Sequence, residues 1–125
     1  PDDFEGAFQA ATKKRAQAFI LGGGGFFNAH QERIVKLAAK SRLPGTYPNV
    51  GYVEAGGLMT YGEDRSEMFR RAAEIVDKIL KGTKPAEIPV ERPKKFDFVI
   101  NLKAAKQIGF TVPPEVLARA SRIIR

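Results

Sequence analysis

The segment of residues 53–62 constrains the fold of this chain more than any other part of it. It reads Val-Glu-Ala-Gly-Gly-Leu-Met-Thr-Tyr-Gly, with paired glycines before a short mixture of apolar and polar residues. Glycine accepts backbone conformations that other residues resist, so Gly56 and Gly57 indicate a bend or a close backbone approach. The residues from Leu58 to Tyr61 are too few for a long central strand and favour a short crossing strand. We therefore expect a crossover or hinge at 53–62, with functional residues near it.

Helical and extended patterns alternate on both sides of this segment. Apolar spacing predicts helices near residues 3–14, 27–41, 65–81 and 114–124, and extended pieces near 18–21, 46–48 and 96–100. Such alternation implies parallel βαβ units. The predicted fold class is therefore α/β, a parallel-dominated sheet flanked by helices.

Local signals mark several helix ends. Asp2 or Asp3 can cap the first helix, and Asp64 with Glu67 has the spacing of a capping box at the start of the third. Asn101 can cap a short helix that ends at Gly109.

The apolar residues of two helices and the prolines between elements complete the local predictions. The inner face of the third helix is predicted to comprise Met68, Phe69, Ala72, Ile75, Val76, Ile79 and Leu80. That of the last helix, begun by Pro113-Pro114, includes Ile123 and Ile124. Residues 83–95 carry three prolines and predict an extended surface connection, and residues 49–51 predict a turn.

Composition limits the class of protein. At 125 residues the chain is one domain or part of one, and the absence of cysteine excludes disulfides and thiolate chemistry. No apolar run approaches the ~20 residues that span a bilayer, and no signal peptide is recognisable. The net charge of +7 is spread along the predicted helices and mixed with acids, so we expect no nucleic-acid partner. Since the chain begins with Pro1 and a helix, we expect its front to be missing.

The glycine run Gly22–Gly25 is the main candidate for chemistry from pattern alone. It follows a predicted strand and precedes a helix, which is where nucleotide folds bind phosphate. It lacks the lysine and hydroxyl of a P-loop, and Phe26 and Phe27 break the G-x-G-x-x-G spacing, which favours a plain flexible loop.

Other polar residues give no enzyme signature. His30 is the only histidine and cannot build a metal site alone. No triad or paired-carboxylate pattern is present, so we expect no catalytic residue, metal or cofactor. We interpret Glu54 as a solvated charge or a backbone cap in preference to a catalytic acid. Tyr61 is either a core residue or a residue that contacts a ligand.

Six segments together carry a resemblance to a known family. They are VEAGGLMTYG (53–62), FRRAA (69–73), VDKILKG (76–82), KPAEIPVERP (84–93), FDFVINLK (96–103) and PPEVLARA (113–120). In this order they resemble the carboxyl-terminal portion of ABC-transporter substrate-binding proteins of the tryptophan/tyrosine-type family. The resemblance implies a type I periplasmic-binding fold, in which two α/β lobes joined by crossing strands hold a solute between them.

The resemblance also implies a function and a location. Residues 1–125 would be the carboxyl-terminal portion of a two-lobed protein that captures a small solute, for example an aromatic amino acid, in the periplasm. It would deliver that solute to an ABC permease in the membrane. Relatives usually carry a more polar or proline-containing loop where Gly22–Gly25 stand. Two other readings stay open: a nucleotide- or phosphate-binding enzyme domain using that loop, and an effector-binding module of a transcription regulator.

Candidate ligand residues follow from the strand ends. Stacking of an aromatic solute suggests Phe26 and Tyr61, and binding of its polar groups suggests Glu54 and Thr60. The hinge glycines would be Gly56, Gly57 and Gly62. Without a first lobe, strand edges and apolar surface would be exposed, so we expect a dimer or an exchanged-strand assembly.

Overall fold

The computed structural model describes residues 3–125, in which helices and strands alternate. The helices are α1 (Phe4–Lys13), α2 (Gly25–Ala29), α3 (Gln31–Lys40), α4 (Val50–Glu54), α5 (Arg65–Leu80), α6 (Leu102–Ile108) and α7 (Pro114–Leu117). The strands are β1 (Phe19–Ile20), β2 (Gly45–Tyr47), β3 (Met59–Glu63), β4 (Phe96–Asn101) and β5 (Arg122–Ile124). Pro1 and Asp2, invoked above for the chain start and the first cap, lie outside the described residues, and Asp3 makes no side-chain capping bond.

The strands form one sheet in the order β1-β2-β3-β4-β5. β1 pairs parallel with β2, β2 with β3, and β4 with β5. The Asn101 backbone N–H donates to the Leu58 carbonyl at 2.8 Å, which places the end of β4 beside the start of β3. The mostly parallel sheet with flanking helices confirms the predicted α/β class.

The chain divides into two compact units. One comprises residues up to Gly62 and from Asp97 onward, and the other is Glu63–Phe96. The buried apolar residues lie in the first unit, and no residue of the second is buried. The chain leaves the first unit at the end of β3 and returns within β4.

Aromatic rings form the centre of the first unit. Phe8 meets Phe19 edge-on at 5.4 Å between ring centroids, Phe19 meets Tyr47 at 5.5 Å, and Tyr47 stacks on Tyr52 at 5.3 Å. Such pairs contribute about 0.5–1.5 kcal/mol each beyond the burial of their surface. Gly45 lies against the Phe19 ring, where an added Cβ would come within 2.3 Å of it. This ring stack fixes β1, β2 and α4 relative to one another.

Helix α5 confirms Asp64 as its N-cap, whereas the Asp64 N–H donates to the Lys95 carbonyl instead of completing a capping box with Glu67, and the predicted burial is wrong. The Asp64 carboxylate accepts a hydrogen bond from the Glu67 backbone N–H at 3.1 Å. The apolar stripe forms on one helix, yet Phe69 is 69% exposed and Leu80 is 81% exposed. The segment 63–96 contains this helix and one connection, which are too few elements to cover the stripe.

Three local predictions were wrong in detail. The last helix ends at Leu117, and Ile123 and Ile124 lie in β5, because β-branched residues pair well beside β4. The second helix is split at His30 into α2 and α3. The predicted turn at 49–51 starts α4 instead, because the Asn49 side chain caps it by accepting from the Gly51 N–H.

Candidate functional site

The carboxyl ends of the three parallel strands meet at one edge of the sheet. β1 is followed by the glycine run that begins at Gly22, β2 is followed by Pro48, and β3 has Gly62 as its last residue but one. Pro48 lies close to both glycines. A Cβ added at Gly23 would lie 3.9 Å from the Pro48 Cβ, and one added at Gly62 would lie 2.9 Å from the Pro48 carbonyl oxygen. Ligands of open α/β sheets bind at this edge. We call it the carboxyl edge.

Three polar side chains that sequence reasoning missed lie next to this edge. The Asn49 Nδ2 lies 3.3 Å from the Asn28 Oδ1, and the Tyr52 hydroxyl lies 3.1 Å from the same oxygen. Burial of Tyr52 raises its pKa, so the phenol stays protonated and can donate. We call these residues the amide cluster. Only Asn49 carries a local signal, as a residue typical of helix caps, because Asn28 meets its partners more than twenty residues away.

The ring of Phe26 lies in an aromatic cluster with Phe4, Phe27 and His30. Its centroid is 5.1 Å from that of His30 and 5.7 Å from that of Phe4. Phe26 is nevertheless 53% exposed. The ring is therefore held by neighbours and still accessible to a solute, as stacking requires.

Tyr61 and Thr60 are neighbours on β3 with opposite surroundings. Tyr61 is 64% exposed and meets the Phe98 ring edge-on at 5.9 Å. Thr60 is buried, and its hydroxyl donates to the Tyr47 carbonyl at 2.7 Å. Tyr61 can meet a solute, whereas Thr60 uses its donor inside the protein.

Glu54 lies at the other end of the sheet. It ends α4, before the start of β3, so the length of β3 separates it from Gly62 at the carboxyl edge. Its carboxylate pairs with the Arg122 guanidinium at 2.6 Å. The structure therefore does not bring Glu54 to the carboxyl edge.

The glycines of the 53–62 segment have packing roles. Gly56 has a φ of 106°, which favours glycine, and its N–H donates to the Val53 carbonyl at 3.1 Å. A Cβ on Gly57 would lie 2.7 Å from the Tyr47 ring. Gly62 is the last residue of the first unit before the chain enters the second.

The second unit contains a groove of about 450 Å³ between α5 and residues 91–95. Charged side chains there pair with one another: Arg70 bonds Glu67 and Glu74, while Arg71 bonds Glu74 and Glu91. Hydrogen bonds from Arg71 lower the pKa of Glu74 and of Glu91. Five of the residues that line the groove thus form one network of ion pairs.

Residues 3–125 contain neither a candidate metal site nor a helix that could span a membrane. No group of three or more histidine, aspartate or glutamate side chains there could hold a metal ion. No helix in the same range is long and apolar enough to cross a membrane. The glycine run Gly22–Gly25 continues into α2, which begins at Gly25 and has only 5 residues.

Comparison with known proteins gives one family match and several similar structures. The family described as ABC transporter substrate binding protein matches residues 2–124. A conserved domain protein from Vibrio cholerae is 30% identical with a TM-score of 0.87, and an ABC domain in complex with L-Trp from Streptococcus pneumoniae is 26% identical with a TM-score of 0.86. Each likeness covers 98% of this chain and 41% of the other chain.

A more distant structure shares the fold, and it is a ligand-free, open substrate-binding protein with adhesive properties from Clostridium difficile. It is 18% identical, with a TM-score of 0.69 over 99% of this chain and 41% of its own. No curated protein gives a match to this chain.

Proposed function

Since the chain belongs to the family of ABC transporter substrate-binding proteins, we propose that it supplies part of the solute site of an ABC importer. The observation that carries this proposal is the carboxyl edge, where Gly23, Pro48 and Gly62 meet at the ends of three parallel strands. The family is one of binding proteins, and we propose that this chain binds its solute without transforming it. An aromatic amino acid is the first candidate, supported by the L-Trp in the Streptococcus pneumoniae relative.

Phe26 and Tyr61 are the residues that we propose to contact the solute. Both residues are more than half exposed. Thr60 and Glu54 remain in the proposal with lesser roles. Thr60 fixes the end of β2 through its bond to Tyr47, and Glu54 fixes the end of α4 through Arg122.

We further propose that the chain is the carboxyl-terminal portion of a two-lobed protein. The chain spans 41% of the length of the similar structures, which supports this organisation. Residues 53–62 would be a crossover or hinge, with Gly56, Gly57 and Gly62 as the hinge glycines, and residues 83–95 would be an extended connection. Closure about that hinge would exclude water from the solute. The protein would act outside the cytoplasmic membrane, in the periplasm, and hand its solute to a permease.

Titration calorimetry on the full-length protein that contains this chain tests the proposal. We expect L-tryptophan or a related aromatic amino acid to bind with micromolar affinity, and the 125-residue chain alone to bind at least a thousandfold more weakly. Losing ~5 kcal/mol of contacts moves a micromolar site beyond millimolar. Micromolar binding by the isolated chain would show that the site lies within it.

We also propose that the isolated chain self-associates. The exposed apolar residues of α5, among them Phe69 and Leu80, support this. A dimer or exchanged-strand assembly would cover them. A pure monomer in light scattering at ~100 μM, within the μM–mM range in which exposed strand edges associate, would contradict it.

A further inference from the structure

The orientation of the Asn28 amide is fixed by a series of hydrogen bonds that starts at the backbone. The Gly51 N–H can only donate, so the Asn49 atom 3.0 Å from it is the oxygen Oδ1. The Asn49 Nδ2 then faces Asn28, and because this nitrogen needs an acceptor, the Asn28 atom facing it is also Oδ1. The Tyr52 hydroxyl must donate to that same oxygen. Each assignment therefore follows from the one before it.

The Asn28 Nδ2 is the last group in this series of hydrogen bonds, and none of the bonds in the series uses its N–H groups. In a planar amide the oxygen and nitrogen are separate trigonal substituents of Cγ, so an Oδ1 that faces Asn49 and Tyr52 leaves Nδ2 directed elsewhere. Within residues 3–125 it donates no hydrogen bond to the protein, and Asn28 is exposed. The amide cluster, whose Asn49 directly follows Pro48, therefore presents an oriented N–H donor that no described protein group accepts.

An oriented donor selects for an acceptor on the solute. A carboxylate is the acceptor that gains most, because a charge-assisted hydrogen bond is about twice as strong as a neutral one. An ammonium group would gain little here, since the Asn28 Oδ1 already accepts two bonds. The net charge of +7 also favours an anionic group over a cationic one.

We infer that the Asn28 amide binds the carboxylate of the captured solute, with Asn49 and Tyr52 as positioning residues. The inference rests on the proposed solute-binding function and deepens it: the solute class is an organic acid or amino acid with a free carboxylate. Phe26, two residues earlier on α2, is the accessible ring on the same helix.

Calorimetry with L-tryptophan and L-tryptophanamide on the full-length protein tests this inference. The two compounds differ in the carboxylate alone. Asn28→Asp keeps the size of the side chain and an oxygen for Tyr52 and Asn49, but it replaces the donor with a charged acceptor. We expect the variant to bind L-tryptophan about tenfold or more weakly, because hydrogen bonds to charged groups are the strong ones. Its affinity for the amide should change about threefold or less.

Two further variants separate the effect of the Asn28 donor from that of an added negative charge and from the positioning role of Tyr52. Gln107→Glu adds the same charge at an exposed position on α6, and we expect it to leave the ratio of the two affinities unchanged. Tyr52→Phe keeps the ring but removes the hydroxyl, and we expect the same ratio to fall by a few-fold. Melting curves for each variant show whether it is folded.

If the wild-type protein binds L-tryptophan and folded Asn28→Asp keeps the wild-type ratio, the role of Asn28 is refuted and the proposed function stands. If the wild-type protein binds neither compound, the proposed solute class is refuted and this inference with it. An unchanged ratio in Tyr52→Phe would refute the positioning role of its hydroxyl.

Discussion

Replacing Asn101 should destabilise the first unit by an amount that its hydrogen bonds determine. Asn101 is buried at the end of β4. Its Oδ1 accepts from the Ala104 N–H at 3.0 Å and caps α6, and its Nδ2 donates to the Val53 carbonyl at 3.0 Å. The side chain thus ties β4 to α6 and to the segment that precedes β3.

The cost of Asn101→Ala is the sum of two losses. Loss of a helix cap costs about 1 kcal/mol and up to about 2. Loss of the bond to Val53 costs about 0.5–1.5 kcal/mol. The larger penalty for a stranded buried acceptor does not apply, because the Val53 carbonyl also accepts from the Gly56 N–H at 3.1 Å. We expect the free energy of unfolding to fall by about 1.5–3.5 kcal/mol, or the Tm by roughly 6–14 °C.

Urea denaturation followed by circular dichroism measures this change, and Asn101→Ser is the matched control. Serine keeps an oxygen for the cap but cannot reach Val53, so we expect a loss of about 1 kcal/mol. Equal losses in the two variants would show that the cap contributes nothing. A loss below about 0.5 kcal/mol in Asn101→Ala would refute the reasoning, since that is the range of ordinary surface substitutions.

Three further predictions concern binding, packing and pH. In the full-length protein, Tyr61→Ala should weaken solute binding by ~1–3 kcal/mol in calorimetry if the ring stacks on the solute, and an unchanged affinity would return Tyr61 to a structural role. Gly57→Ala should lower the Tm clearly because its Cβ would lie 2.7 Å from a buried ring, while Gly22→Ala, with nothing within 4 Å, should change it little. Hydrogen bonds from Arg71 lower the pKa of Glu91, so their stabilisation is present above about pH 4 and is lost as pH falls through the lowered value. Acid titration of helicity should show this loss, and Glu91→Gln should flatten it; identical curves would contradict it.

Much of the fold could be predicted because its signals are local. The capping residues Asp64 and Asn101 act within three residues of themselves, so their spacing is readable from the chain. The end of the protein could not be predicted in this way. Ile123 and Ile124 fit the apolar stripe of a helix equally well. They form a strand because they pair with β4, whose residues lie over twenty positions earlier in the sequence.

The candidate site was predictable in its segments but not in its polar contacts. Parallel strands place their carboxyl ends together, so the segments 22–27, 48–54 and 60–62 could be grouped from the sequence. Asn28 meets Asn49 across 21 positions, and no spacing rule links them. Glu54 looked available because a sequence does not show the Arg122 that pairs with it 68 positions later.

The way in which β3 and β4 adjoin has a consequence for protein engineering. The Asp64 N–H donates to the Lys95 carbonyl at 3.0 Å, so the chain departs and returns at points one hydrogen bond apart. Residues 64–95 are in this sense an insertion at the tip of a hairpin. A two-residue turn such as Asn-Gly spans the same gap. Grafting that turn in place of the insertion would yield a minimal domain that keeps every described buried residue.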